Sequence, residues 1–300
     1  MNCANEPGGT DIRFCNAMIG ADPLHWGRLA AVAEEVGFDS VAVSDHVVYP
    51  SYLESKYPYT PDGKPQFSPD EHWPDVWVAI SNMAAVTERL RFMTNVFVLP
   101  LRNPFVVAKA VGTAAYLSTD RVALGIGAGW MREEFDLLEQ PFSRRGKRMD
   151  EMLEAMAELW KGGMAEYHGE FYDFEPVEMK PVPSRPVPVY VGGDSDVAFA
   201  RAVRNDGWLG MYYTPEKLIE HCATLDRLRE DAGVADRPFE VIASPLAEPS
   251  PALLEELEGA GVGTILTSAW KAVGVDQPDA DQAGDCLLYT SDAADEHRDV

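Results

Sequence analysis

A glycine-rich strand end followed by aromatic and acidic side chains is the part of this sequence best suited to chemistry. Glycine recurs at every second position in the run Gly125-Ile126-Gly127-Ala128-Gly129, and Trp130 and the pair Glu133-Glu134 follow. Glycine keeps the backbone bare, so a ligand can approach it closely at a strand end. The spacing fits neither the dinucleotide fingerprint nor the P-loop, and a tight strand-to-helix turn is the structural alternative. We predict one wall of a ligand site here.

His46 is a candidate for proton transfer because it follows Asp45 directly after the apolar segment of residues 40–43. An imidazole exchanges protons near neutral pH, and from a strand end it would face a pocket. A structural histidine is the alternative interpretation. No other histidine stands at a predicted strand end, so a metal-dependent hydrolase is disfavoured and no metal is expected.

Two further strand ends carry polar or glycine-rich segments. Gly192-Gly193-Asp194-Ser195 leads into a helical pattern, which offers backbone N–H groups and a hydroxyl to a phosphate. An ordinary helix cap is the alternative, and both roles are compatible. Thr94-Asn95-Val96 interrupts an otherwise apolar strand, which indicates a bulge against a planar ligand.

Strand-like and helix-like segments alternate along the chain and position these residues. Strands are predicted at residues 12–19, 40–43, 90–99, 121–126, 187–191, 207–211, 239–243 and 264–267. Most are followed by helical patterns, as at residues 149–160 and 215–232. Eight such repeats favour a closed parallel (β/α)₈ barrel of the α/β class over an open doubly wound sheet. In such a barrel the strand ends listed above meet at one mouth.

Two insertions interrupt this alternation, one after strand 2 and one after strand 4. Residues 47–73 are rich in Pro, Tyr, Asp and Ser, and residues 164–186 contain a predicted hairpin at residues 168–172. Insertions in barrels shape the substrate mouth or an interface. We expect the aromatic residues of 47–73 to line or cover the pocket, with a dimer contact as the alternative.

Composition limits the partners. The chain has 300 residues, 46% of them hydrophobic, and a formal net charge of -24. That charge opposes non-specific binding to nucleic acid or anionic membrane. Residues 144–148 form a basic cluster that could bind a polyanionic ligand. The alternative is that they form the solvent-exposed start of a helix. The sequence has no membrane-span or signal-peptide pattern, so we expect a cytoplasmic location. We also expect a small-molecule substrate and a homodimer.

The motifs taken together resemble those of the luciferase-like monooxygenase superfamily, and most closely its deazaflavin (coenzyme F420)-dependent oxidoreductases. The resemblance spans residues 11 to about 270. It is carried by the ordered set Gly37-Phe38-Asp39-Ser40, Ser44-Asp45-His46, Thr94-Asn95-Val96, Pro100-Leu101-Arg102-Asn103-Pro104, Gly125 to Trp130 with Glu133-Glu134-Phe135, Val191-Gly192-Gly193 and Asp206-Gly207-Trp208.

The resemblance implies a barrel that holds a deazaflavin, or alternatively FMN, at its mouth and transfers a hydride to or from a small organic substrate. His46 is then the catalytic residue beside the ring. The cofactor would be bound by Asp45, Thr94, Asn95, Val96, Gly127, Gly129, Trp130, Gly192, Gly193 and Ser195. A non-prolyl cis peptide is expected at Asn95-Val96, and the cofactor phosphate at Gly192, Gly193 and Ser195.

The resemblance leaves the acid–base pair open. Some relatives carry a glutamate directly after the glycines, where this chain has Trp130. Glu133 is expected to substitute as a second catalytic residue, and Glu133 and Glu134 also suit a helix cap. The alternatives are an FMN-dependent monooxygenase of the same fold and a non-catalytic flavin-binding protein.

The end of the chain has a different origin in this interpretation. Residues 286–300 resemble the in-frame translation of a transposase-type sequencing-library adapter. The expected organisation is a single domain over residues 1–285 with a non-native tail. The eighth barrel helix would then be truncated, leaving an uncovered apolar strip beside the first and eighth strands.

Overall fold

The computed structural model describes residues 11–247, 250–275 and 278–296. Its strands are β1 Arg13–Ala17, β2 Ser40–Val43, β3 Arg91–Thr94, β4 Phe97–Val98, β5 Val122–Gly127, β6 Met164–His168, β7 Asp173–Glu178, β8 Val189–Gly192, β9 Gly207–Tyr213, β10 Glu240–Pro245 and β11 Thr264–Thr267. Its α-helices are α1 Trp26–Glu35, α2 Val76–Ala84, α3 Pro104–Ser118, α4 Arg132–Leu137, α5 Arg145–Trp160, α6 Asp196–Arg204, α7 Pro215–Asp231, α8 Pro251–Gly259, α9 Ala269–Ala272 and α10 Ala280–Glu296.

Eight parallel strands close into a barrel, as the alternating pattern predicts. The strand order is β3-β2-β1-β11-β10-β9-β8-β5, and pairing of β3 with β5 closes the ring. The third barrel strand is interrupted after β3, and β4 continues it by pairing with β5. The fold class predicted from the sequence is confirmed.

Alternate residues along the strands separate the inside of the barrel from its outside. A small interior cluster is formed by Cys15, Ala42, Met93, Leu209, Ile242 and Leu266, one from each of six strands. The neighbours of these residues, such as Val41 and Val43, pack outward in the large core shared with the helices. The barrel is therefore filled with side chains below its mouth.

Side-chain caps fix where the helices that follow the site segments begin. Asn103 accepts a hydrogen bond from the Phe105 amide, and Pro104 occupies the first turn of α3. Ser195 accepts from the Ala198 amide at the start of α6. The cap by Ser195 agrees with the helix cap that the sequence offers there.

The insertions lie where the sequence predicts them. Residues 47–73 follow β2 without forming a helix or strand. The second insertion contains the antiparallel hairpin of β6 and β7, in which His168 pairs with Asp173.

The expected uncovered strip is wrong for the described residues. α10 packs against α1 and α9, and its side chains Ala283 and Leu287 are fully buried in the main core. Cys286 is 7% exposed. Apolar residues at this spacing continue a helical face across the position where the natural sequence is expected to end. The non-native origin of residues 286–300 stays a prediction, and residues 297–300 lie outside the described part of the chain.

Candidate active site

The polar strand ends meet at the C-terminal mouth of the barrel, because parallel strands all end on the same side. β2 leads to Asp45 and His46, the interrupted third barrel strand contributes residues 94–98, and β5 and β8 end in glycines. The structure thus brings together the segments that the sequence singles out. Contact of these residues with a cofactor stays a prediction.

The His46 ring is held by the carboxylate of Glu134. The His46 Nδ1 atom lies 3.0 Å from Glu134 Oε2, and the two side chains are 9% and 2% exposed. Glu134 Oε1 accepts hydrogen bonds from the Val47 amide at 2.7 Å and the Val48 amide at 3.3 Å. One buried carboxylate therefore fixes both the imidazole ring and the backbone that follows it. A carboxylate at Nδ1 favours the tautomer or protonated ring with hydrogen on Nδ1, which leaves Nε2 for chemistry.

Glu133, the residue predicted as a second catalytic group, has a different set of partners. Its Oε1 accepts hydrogen bonds from the amides of Glu54 and Ser55 at 2.7 and 3.0 Å, which ties the first insertion to α4. Burial raises the pKa of Glu133, but hydrogen bonds from Ser55 and backbone amides outweigh it, so the net pKa is lowered. A carboxyl group held ionised is a poor proton donor at neutral pH. Its catalytic role stays a prediction that this geometry does not favour.

Asp45 is buried and bound by two groups of the protein itself. Its carboxylate makes a two-point ion pair with Arg102, at 2.6 and 2.7 Å, and accepts a hydrogen bond from the Val98 amide at 2.9 Å. The pairing connects the end of β2 to β4 and the turn after it. Asp45 therefore positions the segment next to His46.

The interruption of the third barrel strand is a cis peptide bond between Asn95 and Val96, as the resemblance implies. Thr94 donates to the Gly125 carbonyl at 2.7 Å, and Asn95 Nδ2 lies 3.5 Å from Met211 Sδ. The bulge that the sequence indicates at these residues is present, and it presents Val96 to the neighbouring strands.

The spaced glycines accommodate this bulge. A Cβ at Gly125 would lie 1.9 Å from the Thr94 carbonyl oxygen, and one at Gly127 would lie 2.7 Å from Val96 Cγ2. On the other side, a Cβ at Gly192 would lie 2.9 Å from Val96 Cγ1. Val96 is thus seated between two glycines. Packing against the third strand explains the two-residue spacing, a reason that the sequence alone does not reveal.

Gly129 and Trp130 continue this wall toward the rim. Gly129 has φ +81°, and a Cβ there would lie 2.6 Å from Val98 Cγ1. The Trp130 ring lies 6.1 Å from the His46 ring, edge to face.

The segment after β8 forms a cradle at the N-terminus of α6. Gly193 has φ +104°, and its carbonyl accepts a hydrogen bond from the Trp208 indole at 2.7 Å. Asp194 and Ser195 are exposed, and Ser195 caps the helix. The amides of a first helical turn attract anions, so this donor set fits a phosphate.

Aromatic side chains from the first insertion surround His46. Phe67 and Trp73 lie 4.9 and 4.8 Å from the His46 ring, measured between centroids. Tyr57 connects this group to Trp130 at 5.2 Å and to Phe67 at 6.0 Å. The insertion therefore lies over His46, which supports its predicted role at the pocket.

The Asp194 carboxylate influences the pKa values of two tyrosines, one of which lies in the first insertion. The pKa of Tyr59 is raised mainly by burial, and further by the nearby Asp194 carboxylate and Tyr212. Burial, the Asp194 carboxylate and its hydrogen bond raise the pKa of Tyr213. These phenols are therefore neutral over the physiological range and act as hydrogen-bond donors or acceptors.

The basic segment at residues 144–148 is not a fully solvated helix start. Arg148 is 5% exposed and donates to the Pro100 carbonyl at 3.0 Å. Arg145 donates to the Gly129 carbonyl at 3.0 Å and lies over the Phe142 ring. Burial lowers the pKa of both arginines. These two side chains brace the backbone around the mouth.

Three groups were missed by reasoning from the sequence: Glu134 as the partner of His46, Arg102 as the partner of Asp45, and Phe67 as a ring against His46. The sequence shows the acidic pair Glu133-Glu134 after the glycines. Which of the two contacts His46 depends on the orientation of the short helix α4. In the described ranges, no group of three or more His, Cys, Asp or Glu side chains is arranged to hold a metal ion. Within the same parts of the chain, every helix is too short or too polar to cross a lipid bilayer.

Comparison with known proteins places these features in context. A family model described as luciferase-like monooxygenase matches residues 16–248. An uncharacterized protein of Mycobacterium tuberculosis is 39% identical over 255 residues, covering 85% of this chain and 88% of that protein. An F420-dependent glucose-6-phosphate dehydrogenase of Gordonia bronchialis is 33% identical over 235 residues, covering 74% of this chain and 62% of that protein.

A solved structure of similar fold is an F420-dependent secondary alcohol dehydrogenase in complex with an F420-acetone adduct. It matches with a TM-score of 0.72 at 16% identity, over 93% of this chain and 98% of that one. At this identity the likeness concerns the fold alone.

Proposed function

The chain belongs to the luciferase-like monooxygenase family, and from that premise we propose that it is a deazaflavin (coenzyme F420)-dependent oxidoreductase. It transfers a hydride between the cofactor and a small organic substrate. The observation that carries the proposal is His46 at the barrel mouth, held at Nδ1 by the buried carboxylate of Glu134. The deazaflavin in the name of the 33% identical dehydrogenase supports the choice of cofactor.

The residues at the mouth fit such a cofactor. Gly193, Ser195 and the first turn of α6 would hold its phosphate, since amides and a hydroxyl are the donors there. The bulge at Asn95 and Val96 would support the ring. A bound deazaflavin supplies a two-electron hydride acceptor or donor and reacts poorly with oxygen.

His46 moves the proton that accompanies the hydride. With Nδ1 occupied by Glu134, Nε2 accepts a proton from a substrate hydroxyl during oxidation and returns it during reduction. Glu134 does not itself change protonation in this scheme: it keeps the ring oriented and stabilises its charged form. Phe67 and Trp73 pack against the His46 ring, whose side chain is 9% exposed, which limits the contact of the imidazole with water.

A fluorescence titration with each cofactor tests the proposal. The protein is expected to bind the oxidised deazaflavin at least tenfold more tightly than FMN. In the His46→Ala variant, binding is expected to persist while hydride transfer is lost. Tight binding of FMN without binding of the deazaflavin would overturn the proposal.

A second candidate keeps the fold and the site but uses reduced FMN and oxygen as a monooxygenase. The description of the matching family favours it. An oxygen electrode separates the two: substrate-dependent oxygen uptake with reduced FMN supports the monooxygenase, and anaerobic turnover with the deazaflavin supports the oxidoreductase.

We also propose that the protein is a homodimer. Exposed apolar side chains on the neighbouring helices α2 and α3 support this, since Val78, Val106 and Leu117 are 70%, 65% and 63% exposed. Sedimentation equilibrium should give twice the mass of the chain. A monomer that persists at micromolar concentration would contradict the proposal.

A further inference from the structure

His221 is a buried imidazole outside the site described above. It lies on α7 and is 6% exposed, and its Nε2 atom has no hydrogen-bond partner within the described residues. Leaving a buried polar atom unpaired is costly, and a proton on that nitrogen would add a charge without a partner. The packing around His221 therefore suits the neutral ring and opposes the charged one.

Three aromatic rings surround His221. Its ring centroid lies 5.1 Å from that of Phe199 on α6, and 5.5 and 4.8 Å from those of Trp208 and Tyr213 on β9. Phe199 and Trp208 are themselves 5.7 Å apart, so the imidazole completes one packed cluster between α6, α7 and β9. None of these three side chains carries a negative charge that would compensate a protonated imidazole.

The charged groups that act on His221 come from two segments. Lys217 and Glu220 lie on its own helix, where they are exposed and paired with each other at 2.7 Å. Asp194 acts from the segment after β8, but its carboxylate is hydrogen-bonded to Tyr213. Burial, and next Lys217, lower the pKa of His221 below its ordinary value of 6.5, against the smaller opposing effects of Asp194 and Glu220. The imidazole is therefore neutral at pH 7.

Trp208 connects this cluster to the cradle after β8. The Trp208 indole is fully buried and donates to the Gly193 carbonyl at 2.7 Å. Gly193 has φ +104°, and two residues later Ser195 begins α6 by accepting from the Ala198 amide at 3.2 Å. Trp208 therefore packs against His221 with its ring and fixes the backbone of the cradle with its N–H.

We propose that His221 is a positioning residue for the cradle and makes the cradle sensitive to acid. The neutral ring packs against Trp208 and keeps its indole on the Gly193 carbonyl. A proton on His221 has no partner in the cluster, so the charged ring is accommodated only when the cluster opens, and opening releases the Gly193 hydrogen bond. Use of the cradle by a cofactor phosphate rests on the proposed function, whereas the acid response of the cradle does not.

The sign and size of the response follow from proton linkage. The pKa of the His221 ring is lower when packed than when released, so its contribution to the closed cluster is complete above pH 6.5 and is lost as the pH falls toward the lower value. A single group that binds a proton only in the open form favours opening by at most about tenfold between pH 7.5 and 5.5. We therefore expect protection of the Trp208 N–H to fall about three- to tenfold over that range.

Hydrogen exchange in the purified protein without added cofactor tests the inference. Nuclear magnetic resonance with ¹⁵N-labelled tryptophan follows the Trp208 indole N–H, whose signal is assigned by its absence from Trp208→Phe. Its protection, taken relative to the intrinsic rate at each pH, should fall in acid as stated. His221→Phe keeps an aromatic ring without a titrating group, and its protection should change by less than about twofold. His168→Gln is the matched control, because His168 is exposed and paired with Asp173, and it should behave like the wild type.

A direct titration keeps the inference testable if His221→Phe does not fold. The imidazole signals of His221 in the wild-type protein should show a predominantly neutral ring at pH 6.5, and its protonation should coincide with the loss of Trp208 protection. Protection that does not change with pH in the wild type, or an equal loss in His221→Phe, would overturn the inference. A His221 ring that is protonated while Trp208 stays protected would overturn it as well.

Binding of the deazaflavin separates this inference from the proposed function. In fluorescence titrations, acid should weaken binding about three- to tenfold more in the wild type than in His221→Phe. An equal loss of affinity in both proteins would overturn the positioning role of His221. Absence of deazaflavin binding at every pH would reject the proposed function, and the exchange of the Trp208 N–H would still decide the acid response.

Discussion

Replacing Glu134 by Gln should remove activity while keeping the fold. The Gln carbonyl oxygen can still accept from the Val47 amide, which lies 2.7 Å from Glu134 Oε1. Its NH₂ group then faces His46 Nδ1, where the carboxylate oxygen stood at 3.0 Å. An NH₂ donor forces Nδ1 to act as an acceptor, so the imidazole takes the opposite tautomer and its protonated form loses a stabilising charge.

The magnitudes follow from these contacts. Glu134→Gln keeps most hydrogen bonds and should lower the free energy of unfolding by about 1 kcal/mol. Glu134→Ala leaves the buried His46 nitrogen and the Val47 N–H without an acceptor and should cost about 2–6 kcal/mol, at about 1–3 kcal/mol for each. Both variants should lower kcat about 10²- to 10⁴-fold, the usual contribution of an oriented acid–base group.

The assay combines urea unfolding with single-turnover kinetics under anaerobic conditions, using a hydride acceptor that the wild-type protein reduces. Asp136→Asn is the matched control, because Asp136 lies on the same helix but is exposed in a loose pair with Arg132 at 3.4 Å. A further loss on adding His46→Ala to Glu134→Gln should be small, since the two act as a unit. Activity of Glu134→Gln within about threefold of wild type would refute the reasoning.

Three other variants or conditions test separate parts of the structure. Gly127→Ala should destabilise the protein by about 1–3 kcal/mol through contact with Val96, and adding Val96→Ala should restore part of that loss; additive destabilisation in chemical unfolding would argue against the contact. Because the pKa of Glu133 is lower in the folded protein, its hold on the insertion is complete above the ordinary carboxyl pKa of 4.5 and is lost as pH falls through the lower folded value. Protection of the amides of residues 54 and 55 against hydrogen exchange, taken relative to the intrinsic rate at each pH, should therefore be high at pH 5 and fall only in more acidic solution. Glu133→Gln should show little protection throughout, and equal protection in both proteins would contradict this. Burial raises the pKa of Cys15 to about 12 and of Cys222 to about 11. Iodoacetamide at pH 8 should therefore leave both thiols unmodified until urea is added, as measured by mass spectrometry. Rapid alkylation of the native protein would contradict this burial.

The barrel and its mouth were predictable from the sequence for a simple reason. Buried parallel strands are short apolar runs, and the residues directly after them must lie at one end of the sheet. The sequence therefore predicts that Asp45, His46 and Ser195 lie at the same mouth. The boundaries differ by a few residues, and the strand predicted over 90–99 divides into β3 and β4 around the cis peptide bond.

The partners of these residues were not predictable, because each depends on contact between segments distant in sequence. Glu134 reaches His46 across 88 positions, and Arg102 reaches Asp45 across 57. The glycine spacing suggested a ligand, whereas a Cβ at Gly127 would meet Val96 of another strand. Which aromatic residues of the insertion contact His46 depends on the path of an irregular loop, which has no periodicity to interpret.

The covering helix at the end of the chain shows a further limit. The origin inferred for residues 286–300 predicts a truncated helix. Leu287 of this segment nevertheless follows Ala283 at helical spacing, so both are buried in the main core, where α10 packs against α1 and α9. Packing depends on where apolar groups recur along a segment, whatever the source of that segment.

A crystal structure of the protein with oxidised deazaflavin bound tests the central claim most directly. We predict density for the ring against the Asn95–Val96 peptide, with His46 Nε2 facing its reactive edge and the phosphate on the amides near Gly193 and Ser195. The His46–Glu134 hydrogen bond should be retained. A ring bound away from His46, or a phosphate bound elsewhere than the start of α6, would contradict the account.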